Sequence, residues 1–130
     1  PEYRCQVSAA LMSDRVHIRP STREVEKFFK CCDVFTMTST YEPFGQTILE
    51  ALASGLPVVA FSKKSGVSTA TEELGFNEYI KFTNEYTSTS LAAAIRTQVL
   101  MTEEERFLQS ERATKAFSWA TLLDNLAQRG

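Results

Sequence analysis

Basic charge, histidine and long apolar runs are all scarce in this chain of 130 residues. The 14 Lys and Arg residues are outnumbered by 16 Asp and Glu residues, which leaves a net charge of −2. Because the chain has neither a basic stripe nor zinc-finger spacing, we expect no nucleic-acid partner. No apolar run approaches the length of a membrane span, and no signal peptide is visible.

Metal ligands are sparse as well. The single histidine, His17, is expected to be a structural or surface residue within a predicted strand, and a metal site there would lack partners. The three cysteines, Cys5, Cys31 and Cys32, are odd in number, and the adjacent pair cannot join without strain. We therefore expect no metal, and reduced thiols in a cytoplasmic compartment.

What is present is an ordinary globular composition with alternating helix and strand. With 43% hydrophobic and 23% charged residues, the chain can bury one core, and its length suits one domain. The apolar patterns predict strands at residues 16–19, 34–38, 57–61 and 79–82, with helices at 3–12, 21–32, 43–55 and 67–74. This alternation predicts an α/β fold, a parallel sheet with helices on both faces.

Capping signals set the expected starts of two helices. A hydroxyl residue followed three positions later by glutamate can form a capping box, in which the two residues exchange hydrogen bonds. The pattern occurs at Ser21 with Glu24 and at Thr102 with Glu105.

The last third of the chain is predicted to be helical. The prediction begins at Thr89, and Ser118 is expected to cap a final helix that runs through Leu126. The core residues predicted in this region are Ala92, Ala93, Ile95, Val99 and Leu100.

One segment suggests chemistry. A strand is predicted to end near Thr38, and Pro43 then suits the first turn of a helix because its missing N–H would be unpaired there. Gly55 supplies a left-handed cap at the other end. Between them lies an apolar stripe at helical spacing, formed by Ile48, Leu49 and Leu52.

The polar face of this helix suits an anion. Its first turn, about residues 44–47, presents unpaired N–H groups and the positive end of the helix dipole. Gly45 has no Cβ, so an anion can approach the backbone. Glu50 shares a face with Gln46, Thr47 and Ser54 by its spacing and could accept hydrogen bonds from sugar hydroxyls. The alternative from the residues alone is a solvated glutamate on an ordinary strand–turn–helix unit.

The run E-P-F-G-x-x-I-L-E-A-L-A-S-G-L-P-V-V, which begins at Glu42, has a family resemblance. It resembles the E-x7-E signature of retaining glycosyltransferases of the two-domain, doubly Rossmann (GT-B) type, family 4 or glycosyl transferases group 1. That family includes sucrose-phosphate synthases and many lipopolysaccharide and capsule sugar transferases. The similarity extends more loosely to D-V-F at residues 33–35 and F-S-W at residues 117–119.

The resemblance implies a role for each matched residue. Glu50 would bind the ribose of a nucleotide-sugar donor, and Glu42 would be the catalytic residue that faces and orients the transferred sugar. The donor diphosphate would be held by the backbone of Phe44, Gly45, Gln46 and Thr47. A hexosyl group would then move from the nucleoside diphosphate, a substrate, to a hydroxyl acceptor with retention, and neither a metal nor a cofactor is expected.

The resemblance also implies that residues 1–130 are one donor-binding domain, a partial C-terminal Rossmann-like domain of a longer enzyme. The N-terminal acceptor domain, and the Arg and Lys that hold the donor phosphates, would precede it, so the isolated fragment is expected to be inactive. The chain departs from the family at residues 63–70, where K-K-S-G-V-S-T-A replaces a Gly-Gly loop and a Pro-Glu pair. Because lipid-linked acceptors are common in the family, peripheral membrane association of the full-length enzyme is an open alternative to a purely cytoplasmic one.

Two rival functions stay open at this point. A nucleotide-sugar epimerase uses a similar two-domain fold, although the E-x7-E run favours transfer. The other is a degenerate, non-catalytic domain. The missing Pro-Glu pair favours this alternative, and the intact Glu42, Gly45 and Glu50 argue against it.

Overall fold

The computed structural model describes residues 2–39, 46–61, 75, 76, 78–116 and 118. The elements in these residues are, in chain order, α1 (Glu2–Ala9), α2 (Val25–Cys31), β1 (Phe35–Met37), α3 (Gln46–Ala53), β2 (Val58–Phe61), β3 (Ile80–Thr83), α4 (Ser88–Gln98) and α5 (Glu103–Ala116).

The three strands form a parallel sheet in the order β1-β2-β3. Phe35 of β1 lies opposite Val58 of β2, which in turn lies opposite Ile80 of β3. Since α3 connects two parallel neighbours, it runs back along the sheet, and its first turn lies at the edge where the strands end. We call this the carboxyl edge and the opposite one, where the strands begin, the amino edge. The predicted Rossmann-like α/β fold is confirmed.

Helices cover both faces of the sheet. Val58 and Ala60 of β2 belong to the core cluster that includes Ile48 and Leu52 of α3. Val59 points to the other face by strand alternation and is nevertheless fully buried. Helix α4 packs against β2 and β3, and its buried Ala94 lies outside the α3 cluster, which places α4 on that second face. The full cluster is Phe29, Ile48, Ala51, Leu52, Leu56, Val58, Ala60, Phe76, Ile80 and Ala113.

Two predictions near the start of the chain are wrong. Residues 16–19 do not form a strand, and Val16 and Ile18 are each 39% exposed. Alternating apolar residues are not enough to form a strand there, because a strand also needs a neighbouring strand to pair with. The capping box at Ser21 is wrong too: Glu24 is the N-cap of α2, and its side chain makes no cap hydrogen bond. Its carboxylate instead accepts from Lys27 Nζ at 2.5 Å.

The second capping box is confirmed. The Glu105 N–H donates to Thr102 Oγ1 at 3.2 Å, and the Thr102 N–H donates to Glu105 Oε2 at 2.7 Å. As the predicted helix start at Thr102 implies, the helical region is divided: α4 ends at Gln98 and α5 starts at Glu103. The break lets the chain reverse and lay α5 against α3.

The core predicted for α4 is largely wrong. Leu100 is 79% exposed and Val99 39% exposed, and Ala93 is exposed as well. The predicted Ala92 and Ile95 are half-buried. The residues of α4 that are buried are Ala94 and Gln98. The polar side chain of Gln98 is therefore buried, whereas the sequence pattern predicted that its apolar neighbours would be.

The other three predicted strands are present in the structure. The strands predicted at 34–38, 57–61 and 79–82 correspond to β1, β2 and β3, and the first helix ends at Ala9 rather than residue 12. The three cysteines are free and exposed. The helix predicted at 67–74 and the last helix to Leu126 lie outside the described residues. Among the described helices, none is long and apolar enough to cross a membrane.

Candidate functional site

Helix α3 is held in place by its apolar face. Ile48, Ala51 and Leu52 are 1% exposed or less, while Gln46 and Glu50 on the other face are exposed. Because i, i+3 and i+4 positions share a face of a helix, this division follows directly from the sequence spacing. The predicted stripe therefore exists, and it turns Glu50 toward solvent.

The end of α3 has the expected glycine cap. Gly55 has φ of +72°. Its N–H donates to Leu52 O at 3.0 Å, and the Leu56 N–H donates to Ala51 O at 3.0 Å. This pair of bonds is a Schellman motif, which satisfies two carbonyls that the helix itself leaves unpaired.

The polar face of α3 brings three predicted site residues together. Gln46 Nε2 donates to Glu50 Oε1 at 3.4 Å, and Thr47 is half-buried beside them. The contact is near the long limit for a hydrogen bond, and an ionised carboxylate can accept several. Glu50 therefore retains capacity to accept hydrogen bonds from ligand hydroxyls.

The structure places only part of the predicted site. Gln46 and Thr47 begin α3 at the carboxyl edge, and Glu50 follows about one turn further along the helix. Glu42, Phe44 and Gly45 lie outside the described residues. The catalytic assignment of Glu42, and half of the diphosphate-binding segment, therefore stay predictions from the family resemblance.

A second feature of the carboxyl edge was missed by sequence analysis. A cleft of about 340 Å³ opens beside the end of β3, and it is bordered by Thr83, Asn84, Glu85 and Ser90 among others. Ser90 Oγ donates to Glu85 O at 2.7 Å, which fixes the turn between β3 and α4. The available signal was the run of hydroxyl residues that follows a strand end, the place where open α/β sheets bind ligands.

An aromatic pair joins the turn after β3 to the end of β2. The rings of Phe61, the last residue of β2, and Tyr86 lie 5.4 Å apart and are tilted by 58°. The ends of β2 and β3 are therefore connected by side chains as well as by the sheet.

The amino edge is built from long-range polar contacts. Gln98 Nε2 donates to Val58 O at 3.0 Å and to Tyr79 O at 3.1 Å. Gln109 Nε2 donates to Leu56 O at 3.0 Å. Sequence analysis missed both glutamines, because a buried polar residue in a helix has the same local pattern as a solvated one.

The two shifted pKa values in the described residues both belong to α5. The Thr102 N–H and hydroxyl donate to the Glu105 carboxylate and lower its pKa from the usual 4.5. The hydrogen bond to the Tyr79 hydroxyl, with the charge interactions of Tyr79 and Glu78, raises the pKa of Arg112. Both groups are exposed, and the helix that carries them is hydrogen-bonded to the last turn of α3.

The potential metal ligands of the described residues are scattered. Across the described ranges, no three His, Cys, Asp or Glu side chains are grouped so that they could hold a metal ion. The expectation that the enzyme needs no metal or cofactor stays a prediction.

The sequence matches one family and several curated proteins. A model of the family described as glycosyl transferases group 1 matches residues 2–116. The UDP-N-acetylglucosamine–peptide N-acetylglucosaminyltransferase GtfA subunit of Streptococcus pneumoniae is 30% identical over 91 residues, which are 69% of this chain and 18% of that protein.

Two further relatives are similar over shorter stretches. The mannosylfructose-phosphate synthase of Agrobacterium fabrum is 44% identical over 36 residues, 28% of this chain and 8% of that protein. An uncharacterized glycosyltransferase of Haemophilus influenzae is 33% identical over 67 residues, 50% of this chain and 19% of that protein. The matched part of the chain therefore spans less than a fifth of the length of each of these relatives.

Proposed function

This chain belongs to the family glycosyl transferases group 1, and on that premise we propose that it is the donor-binding part of a retaining hexosyltransferase. The donor is a nucleoside-diphosphate sugar, and the acceptor is a hydroxyl group. Family membership favours transfer over the epimerase alternative. The acceptor is bound elsewhere in the longer, GT-B type protein of which we propose this chain to be a part.

The observation that carries the proposal is the polar face of α3. Glu50 is exposed and lies one turn from Gln46 at the carboxyl edge, the edge at which open parallel sheets bind ligands. An exposed glutamate contributes little to the stability of the fold, so Glu50 is available to bind a ligand.

The proposed chemistry is electrostatic. The donor diphosphate rests on the first turn of α3, near Gln46 and Thr47, and Glu50 accepts hydrogen bonds from the ribose hydroxyls. As the bond to the sugar breaks, negative charge grows on the diphosphate, and the N–H groups and dipole of the helix stabilise it. Glu42, by family resemblance, orients the transferred sugar.

The test is nucleotide binding to the full-length protein. UDP, GDP and ADP are titrated separately by calorimetry into the wild type, Glu50→Ala and Glu104→Ala. We expect one nucleotide to bind and Glu50→Ala to raise its Kd about tenfold, the scale of a lost charge-assisted hydrogen bond.

Glu104 is the matched control, because it is an exposed glutamate in the first turn of α5. Its variant should bind like the wild type. Equal affinity of Glu50→Ala and wild type would show that the ribose assignment is wrong. A protein that binds none of the three nucleotides would contradict the donor-site proposal itself.

A further inference from the structure

We infer that Gln109 and Ser110 of α5 are positioning residues for the donor site, which they hold in place through the far end of α3. We call these two residues the α3 clamp. The inference rests on the proposed function, since it concerns the same site.

The α3 clamp binds three backbone carbonyls at the end of α3. Gln109 Nε2 donates to Leu52 O at 3.2 Å and to Leu56 O at 3.0 Å. Ser110 Oγ donates to Ala53 O at 2.6 Å. Two of these carbonyls belong to the last turn of α3, and the third lies just before β2, so one face of α5 fixes both the helix end and the turn that follows.

The packing beneath these hydrogen bonds is close. A Cβ atom built on Gly55 would lie 2.9 Å from the carbonyl oxygen of Arg106 and 3.6 Å from Ser110 Cβ. The backbones of the two helices therefore approach as near as a glycine allows. Gln109 is fully buried at this junction, where hydrogen bonds are shielded from water and are strong.

Position at one end of α3 determines position at the other. A helix rises about 1.5 Å per residue, so Gln46 lies roughly 10 Å along the axis from Ala53, and a tilt of about 6° at the clamp moves the first turn by about 1 Å. A displacement of about 1 Å can reduce the rate of a reaction about 100-fold. The α3 clamp therefore controls where Thr47 and Glu50 meet a ligand, without touching it.

The chain supplies a matched control for this effect. Gln98 is also a buried glutamine whose Nε2 donates to two carbonyls, but these belong to Val58 and Tyr79 at the starts of β2 and β3. Loss of Gln98 should loosen the sheet without releasing the end of α3. Comparison of the two glutamines separates positioning of α3 from general stability.

The experiment uses full-length protein with Gln109→Met, Gln98→Met and Ser110→Ala. Methionine keeps the side-chain volume, and Gln109 Oε1 has no hydrogen-bond partner among the described residues, so the change removes only the Nε2 donor. For each variant, the Kd of UDP, GDP or ADP, whichever the wild type binds, is measured with the melting temperature.

We expect Gln109→Met and Gln98→Met to lower the melting temperature similarly. Only Gln109→Met should raise the nucleotide Kd, by up to about tenfold, the scale of losing the contact to Glu50. Ser110→Ala, which leaves Gln109 intact, should raise it less and keeps the test valid if Gln109→Met fails to fold. Equal Kd values for Ser110→Ala, Gln109→Met and wild type, or equal increases in both glutamine variants, would overturn the inference.

Failure of this inference can be distinguished from failure of the proposed function. If Glu50→Ala weakens nucleotide binding and the α3 clamp variants do not, the donor site stands and the α3 clamp is only structural. If the wild type binds no nucleotide, both fail together.

Discussion

The two edges of the sheet use polar side chains differently. At the carboxyl edge, hydrogen bonds join near neighbours: Gln46 to Glu50, four residues apart, and Ser90 to Glu85, five apart. At the amino edge, Gln109 reaches Leu52 across 57 residues, and Arg106 Nη2 donates to Asp33 O across 73 residues at 3.0 Å.

The difference shows which polar groups are available for function. The exposed hydrogen bond from Gln46 to Glu50 lies within one helix and joins no two elements, so a ligand can replace it at little cost. A buried long-range bond, such as those of Gln109, defines how α5 packs against α3, and its loss removes a hydrogen bond that is shielded from water. The carboxyl edge is thus suited to binding and the amino edge to holding the fold.

The largest expected effect tests how close the amino-edge packing is. Gly55→Ala should cost about 3 kcal/mol, because it combines left-handed strain with the contact to Arg106 O. Gly75→Ala is the control: its φ is +73°, but among the described residues the nearest atom to an added Cβ, Arg112 Nη2, lies 4.0 Å away. It should cost about 1–2 kcal/mol, from strain alone.

Urea unfolding of both glycine variants gives the two free energies. A Gly55→Ala cost no larger than that of Gly75→Ala would mean that α5 can move away from the end of α3. That result would also weaken the argument for the α3 clamp.

The second-largest expected effect is on the free energy of unfolding when one glutamine from each edge is replaced. Gln98→Met should lower the free energy of unfolding by about 2 kcal/mol, because two shielded carbonyls each lose a hydrogen bond. Gln46→Met at the carboxyl edge should change it by less than about 0.5 kcal/mol. Thermal and urea unfolding measure both, and equal costs would remove the distinction between the two edges.

The smallest effect concerns the start of α5. Because the pKa of Glu105 is lowered in the folded protein, its ionised form stabilises the fold above the ordinary carboxyl value and loses this contribution as pH falls through the lowered value. The melting temperature of the wild type should therefore decrease more steeply below about pH 4.5 than that of Glu105→Gln. Glu104→Gln, which changes the neighbouring exposed carboxylate, should keep the wild-type slope.

The orientation of α3 could be predicted from the sequence because it is local, while the ligand roles assigned to its residues stay predictions. The apolar spacing of Ile48 and Leu52 fixed which face of α3 is buried and so turned Glu50 outward, and Gly55 marked the helix end. The capping box at Thr102 depends only on residues three apart and was found for the same reason. The strand at 16–19 was not predictable in this way, because alternation does not reveal whether a partner strand exists.

The sequence by itself therefore determined the alternation of helix and strand, the polar face of α3 and the family. The tertiary structure alone decided that Gln98 and Gln109 are buried, while Leu100 is 79% exposed. The physical reason is distance along the chain: the carbonyls that make a buried glutamine favourable belong to elements 19 to 57 residues away. A local sequence pattern indicates whether a residue prefers to be buried or exposed. Only the packed fold supplies the hydrogen-bond partners that make burial of a glutamine favourable.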